Sequence, residues 1–137
     1  MKNIFKIFIL SLILFLFYNT CDAQVYKLRA YEFSYKTYSY YSGWSEWSDW
    51  SNCQILVVVD IDNYRIKIYS QSEQEYDIIE TESEQTDYKG NKTTKMVAID
   101  KDGSRCNVRI RTDVNLNKQL YIDYFDMMWV YNVYNLN

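Results

Sequence analysis

Three tryptophans, Trp44, Trp47 and Trp50, lie three residues apart in the segment GWSEWSDWSNC. On a regular strand, residues three apart point to opposite faces. In a segment with three residues per turn, like polyproline II, all three share one side. A cation can then lie between the indole faces, and each such contact is worth roughly 0.5–2 kcal/mol. The candidate cations are Arg109 and Arg111, which we expect on the outward face of one strand.

This tryptophan segment has three interpretations at the level of sequence. The tryptophans could be core side chains that close the mouth of a barrel. They could instead form a ladder with the two arginines, stabilised by cation–π contacts. In the third interpretation they form an exposed platform on which a ligand stacks.

The chain contains no histidine, and this excludes several kinds of catalytic site. Neither a Ser-His-Asp or Cys-His set nor a histidine-ligated zinc site can form. Acid–base chemistry would fall to carboxylates, tyrosine or lysine. A carboxylate pair for glycoside hydrolysis is an alternative, although nothing marks one pair among the 18 acidic residues. We therefore expect no catalytic residue, metal site or cofactor, and a protein that is not an enzyme.

Residues 100–104, DKDGS, resemble the opening of a calcium-binding loop. The remaining acidic ligands and the terminal Glu of an EF-hand are missing. Asp and Gly are also the residues that a tight turn requires. We therefore expect a hairpin turn at this position.

Cys53 and Cys106 are the two cysteines that follow the N-terminal leader. In an oxidising compartment an even pair favours a disulfide. The closed loop of about fifty residues would contribute roughly 4 kcal/mol in the chain-entropy model. The alternative is a pair of buried free thiols, since Cys106 lies on the apolar face of a predicted strand.

Residues 1–23 have the pattern of a secretory signal peptide. Lys2 and Lys6 precede an apolar run at residues 7–17, and Ala23 provides a small residue at the cleavage site. The run is too short for a comfortable membrane span. We expect a secreted or periplasmic protein, residues 24–137. In the alternative, Cys21 is lipidated and anchors the chain at the cell envelope.

The chain after the leader has the composition and periodicity of a single all-β domain. It is rich in aromatic residues, with 15 Tyr, 4 Trp and 6 Phe, and it has no Pro. Residues 25–37 supply the first strand. Alternating runs at residues 54–61 and 64–69, separated by Asp62-Asn63, predict a tight hairpin. About eight short strands with regular turn signals predict an antiparallel meander closed into a small barrel, with a β-sandwich as the alternative.

Charge bears on the partners that the protein can meet. The chain has 15 basic and 18 acidic residues. It therefore lacks the basic surplus that nucleic-acid binding requires, and no polybasic cluster is present for anionic lipid.

The segment around the tryptophans resembles motifs of two known families. Trp44-Ser45-Glu46-Trp47-Ser48 is similar to the WSxWS box of cytokine receptors, but that box lies near the end of its domain and here some ninety residues follow. The spacing of the tryptophans and Cys53 resembles a thrombospondin type 1 repeat, yet the CSxTCG element and most of the cysteines are missing. We reject both families.

The chain after the leader also resembles small exported proteins of Bacteroidota-type bacteria. The resemblance lies in a Trp-x-x-Trp segment before an ILVVVDID-like strand, followed by RIKIYS, YDII, DKDGSRC and DMMWVYNVY. It implies a compact exported β domain. No activity is assigned to those proteins, so no functional residue is carried over.

These observations lead to an expected function. We expect a binding or interaction module whose aromatic-rich surface meets a glycan, a peptide or an envelope partner. A calycin-like carrier that holds a small apolar ligand inside the barrel is the alternative, and a carboxylate-based hydrolase is a further one.

Overall fold

The computed structural model describes residues 24–136. The predicted signal peptide at residues 1–23 and the alternative lipidation of Cys21 lie outside the described residues.

Residues 24–136 form ten strands and no helix, so the prediction of an all-β domain is confirmed. The strands are β1 (Val25–Ser39), β2 (Gly43–Trp44), β3 (Ser51–Asp60), β4 (Arg65–Ile68), β5 (Gln74–Thr81), β6 (Gln85–Thr86), β7 (Lys92–Asp100), β8 (Arg105–Thr112), β9 (Lys118–Asp123) and β10 (Met127–Asn135). The predicted hairpin of residues 54–69 is β3 followed by β4, in register from Val57↔Ile68 to Asp60↔Arg65.

Eight of the strands form a closed antiparallel barrel in the order β1-β3-β4-β5-β7-β8-β9-β10. The barrel closes because β1 pairs with β10 as well as with β3, so that Leu28 lies opposite Asn135 on one side and Val57 on the other. Closure leaves no unpaired edge along the barrel. The predicted barrel, and not the sandwich, is therefore the observed architecture. The short strands β2 and β6 extend from β1 and β7.

The core consists of the inward-facing residues of the barrel strands. Side chains from opposite walls meet in the centre, and the largest ones without solvent exposure are Ile66, Ile68, Leu120, Ile122, Val57 and Val108. An eight-stranded barrel has an interior just wide enough for side chains to fill. Burial of each such side chain stabilises the fold by about 1.5–3 kcal/mol. The middle of the barrel is therefore a packed core.

The predicted disulfide between Cys53 and Cys106 is wrong, because both cysteines are free thiols in the structure. Cys53 lies in β3 and Cys106 in β8, and three strands separate β3 from β8 in either direction around the barrel. The two thiols therefore belong to opposite walls, which packed side chains hold about 10 Å apart. A disulfide requires Cα atoms within about 7 Å. Burial raises the pKa of Cys106 to about 11.

Three of the hairpins share one five-residue turn, at residues 87–91, 100–104 and 113–117. In each turn the first residue is an Asp whose Oδ1 accepts hydrogen bonds from the backbone N–H groups two and four residues later, at 2.8–3.0 Å. The pKa of each Asp is lowered, chiefly by a side-chain hydrogen bond from Asn91, Tyr124 and Asn117 respectively. The DKDGS segment is thus a hairpin turn, as expected.

The fourth residue of each turn has a left-handed backbone. Gly90 and Gly103 occupy this position with φ of 85° and 81°, whereas the third turn has Leu116 with φ of 67°. A left-handed conformation costs a residue with a side chain about 1–2 kcal/mol, a cost that Gly avoids. The Leu116 side chain is 80% exposed and offers little burial to offset this strain.

We expect Leu116→Gly to raise the free energy of unfolding by about 0.5–1 kcal/mol, because it relieves the left-handed strain. Urea unfolding measures the change. Leu116→Ala keeps the strain and is the matched control, so its stability should stay unchanged. Gly103→Ala, where the added Cβ meets open space, should cost about 1 kcal/mol. Equal gains from Gly and Ala at position 116 would show that the backbone is not the cause.

The free thiols predict a pattern of alkylation. Protein that is purified and unfolded without reductant should be labelled at both Cys53 and Cys106. In the native state Cys53 should react before Cys106, because Cys106 is buried and its raised pKa leaves little thiolate near pH 8. Mass spectrometry of proteolytic peptides gives both results. A cross-linked peptide pair that contains the two cysteines would contradict the structure.

Candidate functional site

Serine side chains attach the tryptophan segment to the far end of β1. Ser45 N–H donates to the Thr37 carbonyl at 2.8 Å, and Ser45 Oγ accepts from Thr37 N–H at 3.1 Å. Ser48 repeats the arrangement with Tyr35, at 2.8 and 3.0 Å. Each serine therefore supplies both the donor and the acceptor that a paired strand residue would supply. The segment stays bonded to β1 although residues 45–50 are not a regular strand.

The spacing of these bonds sets the direction of the tryptophans. Ser45 and Ser48, three residues apart, bond to Thr37 and Tyr35, two residues apart. The backbone of the segment is therefore more tightly wound than the extended strand β1, and its bonding pattern repeats every three residues. Trp44 and Trp47 accordingly lie on the same side, and both contact one lysine of β1, Lys36.

A buried serine holds the segment down at its centre. The side chain of Ser34, on the outward face of β1, is 1% exposed. Its Oγ donates a hydrogen bond to the Ser48 carbonyl at 2.7 Å. This buried hydroxyl is therefore satisfied, and it anchors the tryptophan segment against the outside of the barrel.

Aromatic and cationic side chains form a continuous row of contacts across this outer wall. Lys36 Nζ lies 5.1 Å from the ring centroid of Trp44 and 4.9 Å from that of Trp47. Trp47 meets Tyr121 of β9 edge to face, with ring centroids 6.4 Å apart. Arg109 of β8 lies over Tyr121, with Cζ 4.1 Å from the ring centroid. We call Trp44, Lys36, Trp47, Tyr121 and Arg109 the aromatic–cation stack.

Asp123 holds the last cation of the stack in place. Its carboxylate accepts hydrogen bonds from Nε of Arg109 and, at 3.1 Å, from Nη2. Burial disfavours the charged form of Arg109, but the hydrogen bond and charge of Asp123 outweigh it and raise the pKa of the guanidinium. A two-pronged pair of this kind fixes the plane of the guanidinium above the ring. Among the described residues Lys36, by contrast, forms no ion pair.

The other residues named from the sequence lie at or beyond the edge of the stack. Arg111 points to a neighbouring polar row, where Nη1 donates to Gln119 Oε1 at 3.4 Å. Within residues 24–136, Trp50 has no ring or cation contact. Trp129 lies at one end of the barrel, 5.2 Å from the ring of Tyr35.

The tryptophans of the segment are surface residues. The exposed fractions of Trp44, Trp47 and Trp50 are 37%, 39% and 46%. The tip of the β1–β2 hairpin extends this surface with Tyr40 and Tyr41, whose rings contact each other and are almost fully exposed. A contiguous exposed apolar surface of this kind is characteristic of an interaction site.

A groove adjoins the stack at Trp44. Its volume is about 610 Å³, and its lining includes three cationic side chains and one carboxylate, namely Lys95, Arg105, Arg109 and Asp123. Lys95 lies 3.7 Å from a carboxylate oxygen of Glu82, and Arg109 is paired with Asp123. Among residues 24–136 no ion pair involves Arg105. The groove thus combines an indole with an excess of positive charge.

Tyrosine hydroxyls close the end of the barrel near Trp129. Tyr76 donates to Gln74 Oε1 at 2.6 Å, and Gln74 Nε2 donates to the Tyr131 hydroxyl at 3.3 Å. Tyr124 donates to Asp100 Oδ2 at 2.7 Å. Burial raises the pKa of Tyr76, Tyr124 and Tyr131. These hydroxyls stay protonated near neutral pH, and the network joins strands to one another.

In residues 24–136 no three His, Cys, Asp or Glu side chains are grouped so that they could hold a metal ion. The same residues contain no helix that is long and apolar enough to cross a membrane. Comparisons with protein-family models, with curated proteins and with solved structures found no match.

The sequence interpretation missed Lys36 and Tyr121. The predicted first strand ends at residue 37, whereas β1 continues to Ser39 and turns back at Gly43, whose φ is 73°. The Gly43 turn was the available signal, because it places Trp44 opposite Tyr38. No pattern in the sequence could have indicated the contact of Trp47 with Tyr121, which depends on how far the segment reaches around the barrel.

The stack predicts different effects for the two arginines. Arg109→Ala removes the cation above Tyr121 and leaves the mostly buried Asp123 carboxylate without its partner. We expect a loss of about 1.5–3 kcal/mol in the free energy of unfolding, together with a shift in tryptophan emission. Arg111→Ala is the matched control and should change stability by less than about 0.5 kcal/mol. Urea unfolding followed by fluorescence measures both, and equal effects would argue against the stack.

Proposed function

We propose that this chain is an exported, non-catalytic binding module whose aromatic–cation stack and adjoining groove bind a glycan that carries carboxylate or sulfate groups. Glycan, peptide and envelope partners were all expected from the sequence. Three exposed tryptophans, of which Trp44 and Trp47 share one side, lie in a segment that adjoins an excess of positive charge, and this supports the glycan most directly.

The row of indoles suits sugar rings for a physical reason. The face of an indole is electron-rich, and the C–H groups on one face of a sugar ring are weakly positive, so the two surfaces attract. Trp50, the most exposed of the three, has neither indole face covered by another ring or a cation of the described residues. Hydrogen bonds of Ser45 and Ser48 already fix the segment, so little conformational entropy is lost on binding.

The groove accounts for the acidic part of the proposed ligand. A guanidinium binds carboxylate or sulfate through parallel hydrogen bonds. Arg105 is the cation of the groove that the described carboxylates leave without an ion pair. Attraction of this kind weakens as salt screens the charges.

Titration with acidic and neutral oligosaccharides tests the proposal. Oligogalacturonate and a sulfated oligosaccharide should shift tryptophan emission and protect Trp50 from acrylamide quenching, whereas an uncharged glucose oligomer should do so only weakly. Trp50→Ala and Arg105→Gln should each weaken acidic-glycan binding about tenfold. Affinity should fall as the salt concentration rises.

Arg111→Gln is the control, because Arg111 carries the same charge on the same strand but faces the polar row away from Trp44. Its affinity should match that of the unchanged protein. If Trp50→Ala, Arg105→Gln and Arg111→Gln all bind the acidic glycan with the same affinity, the proposed site is refuted. If no oligosaccharide shifts tryptophan emission while a peptide protects Trp50 from acrylamide quenching, the glycan is refuted and the peptide partner is favoured.

The alternative functions have less support. The packed middle of the barrel leaves an apolar ligand no space between Ile66, Leu120 and their neighbours, so a carrier could use only an end of the barrel. For a hydrolase, Asp100 and Asp123 would be natural carboxylates to consider, but they are engaged by Tyr124 and Arg109.

A further inference from the structure

The end of the barrel opposite the tyrosine network is open. A cavity of about 450 Å³ lies there, within the range of about 300–1,000 Å³ typical of small-molecule sites. Its floor contains the buried side chains of Leu28, Val59 and Met96, and its wall includes the partly exposed Ile61 and Ile110. The packed core thus ends in an apolar cup, which the aromatic–cation stack does not touch.

Two lysines occupy inward positions at the rim of this cup. Lys92 is the register partner of Thr112, and Thr112 is the partner of Lys118, so the three form one row across β7, β8 and β9. Lys118 Nζ donates to Thr112 Oγ1 at 3.0 Å. Since neighbouring strands lie about 4.8 Å apart, the two lysines flank Thr112 from either side.

The charges at the rim favour an anion. Within residues 24–136 neither Lys92 nor Lys118 forms an ion pair. Among the side chains that line the cavity, Glu84 is the single carboxylate, and it lies outside the barrel strands. Lys92 is exposed and Lys118 is partly buried at this rim, so both ammonium groups are accessible to a ligand that lies on the apolar floor. The same arrangement matches a ligand with one anionic end and one apolar end.

We propose that the open end of the barrel binds a small amphiphilic carboxylate. The apolar tail lies on Leu28, Val59 and Met96, and the carboxylate accepts hydrogen bonds from Lys118 and Lys92. Thr112 holds the Lys118 ammonium in position. This site lies beyond the proposed glycan function and does not depend on it.

Calorimetric titration of the purified protein tests this proposal with decanoate, decanol and decyltrimethylammonium as probes. Decanoate should bind about tenfold more tightly than decanol, which has the same tail without the charge, and the cation should bind most weakly. Lys118→Met, which keeps the apolar stem and removes the charge, should reduce the affinity for decanoate to that for decanol. Thr94→Phe, which places a ring in the cavity, should weaken both ligands.

The control is Lys101→Met at the other end of the barrel, where Lys101 Nζ contacts the Glu73 carbonyl. Decanoate affinity should be unchanged in this variant. Circular dichroism and the midpoint of thermal unfolding establish that each variant is folded. Equal affinities for decanoate and decanol, undiminished decanoate binding by folded Lys118→Met, or no binding of decanoate up to about 1 mM would each overturn the proposal.

Discussion

The pairing of β1 with strands on both of its edges is the constraint on which the rest of the structure depends. This 15-residue strand joins β10 on one side and β3 on the other, which closes the sheet. A bulge near Tyr31 shifts the register with both neighbours and lets Phe33 follow Ala30 on the inner face. β1 then extends past the regular part of β3, and the serines of the tryptophan segment bond to this overhang. The candidate glycan site is therefore a consequence of the same strand that closes the barrel.

The two ends of the closed barrel differ in the side chains that cover the core. At one end, Gln74 joins the hydroxyls of Tyr76 and Tyr131, and Tyr124 donates to Asp100, so tyrosine hydroxyls with hydrogen-bond partners cover the core. At the other end, the inward positions carry lysine and threonine above an apolar floor, and the core is left open. The outer wall carries the aromatic–cation stack. Each proposed site thus has its own chemistry, and the packed core separates the open end from the tyrosine network.

Several predictions from the sequence about which side chains meet differed from the structure. The three-residue spacing suggested a cation between the indoles, but that cation is Lys36 and not an arginine. Arg109 does lie over an aromatic ring, that of Tyr121, while its neighbour Arg111 faces a polar row. The disulfide was wrong because β3 and β8 are on opposite walls. The disulfide depended on which strands face each other across the barrel, whereas the lysine contact depended on the turn at Gly43 that folds the tryptophan segment back onto β1.

The all-β class, the hairpin of β3 and β4 and the Asp–Gly turn at residues 100–104 were determined by the sequence itself, because each follows from interactions within a few residues. Histidine-dependent chemistry was likewise excluded by composition alone. Only the tertiary structure decided which residues meet around the barrel. The contact of Trp47 with Tyr121, the row of Lys92, Thr112 and Lys118, and the separation of the cysteines all depend on strand register and closure. Register is a property of two segments together, and no single stretch of sequence specifies it.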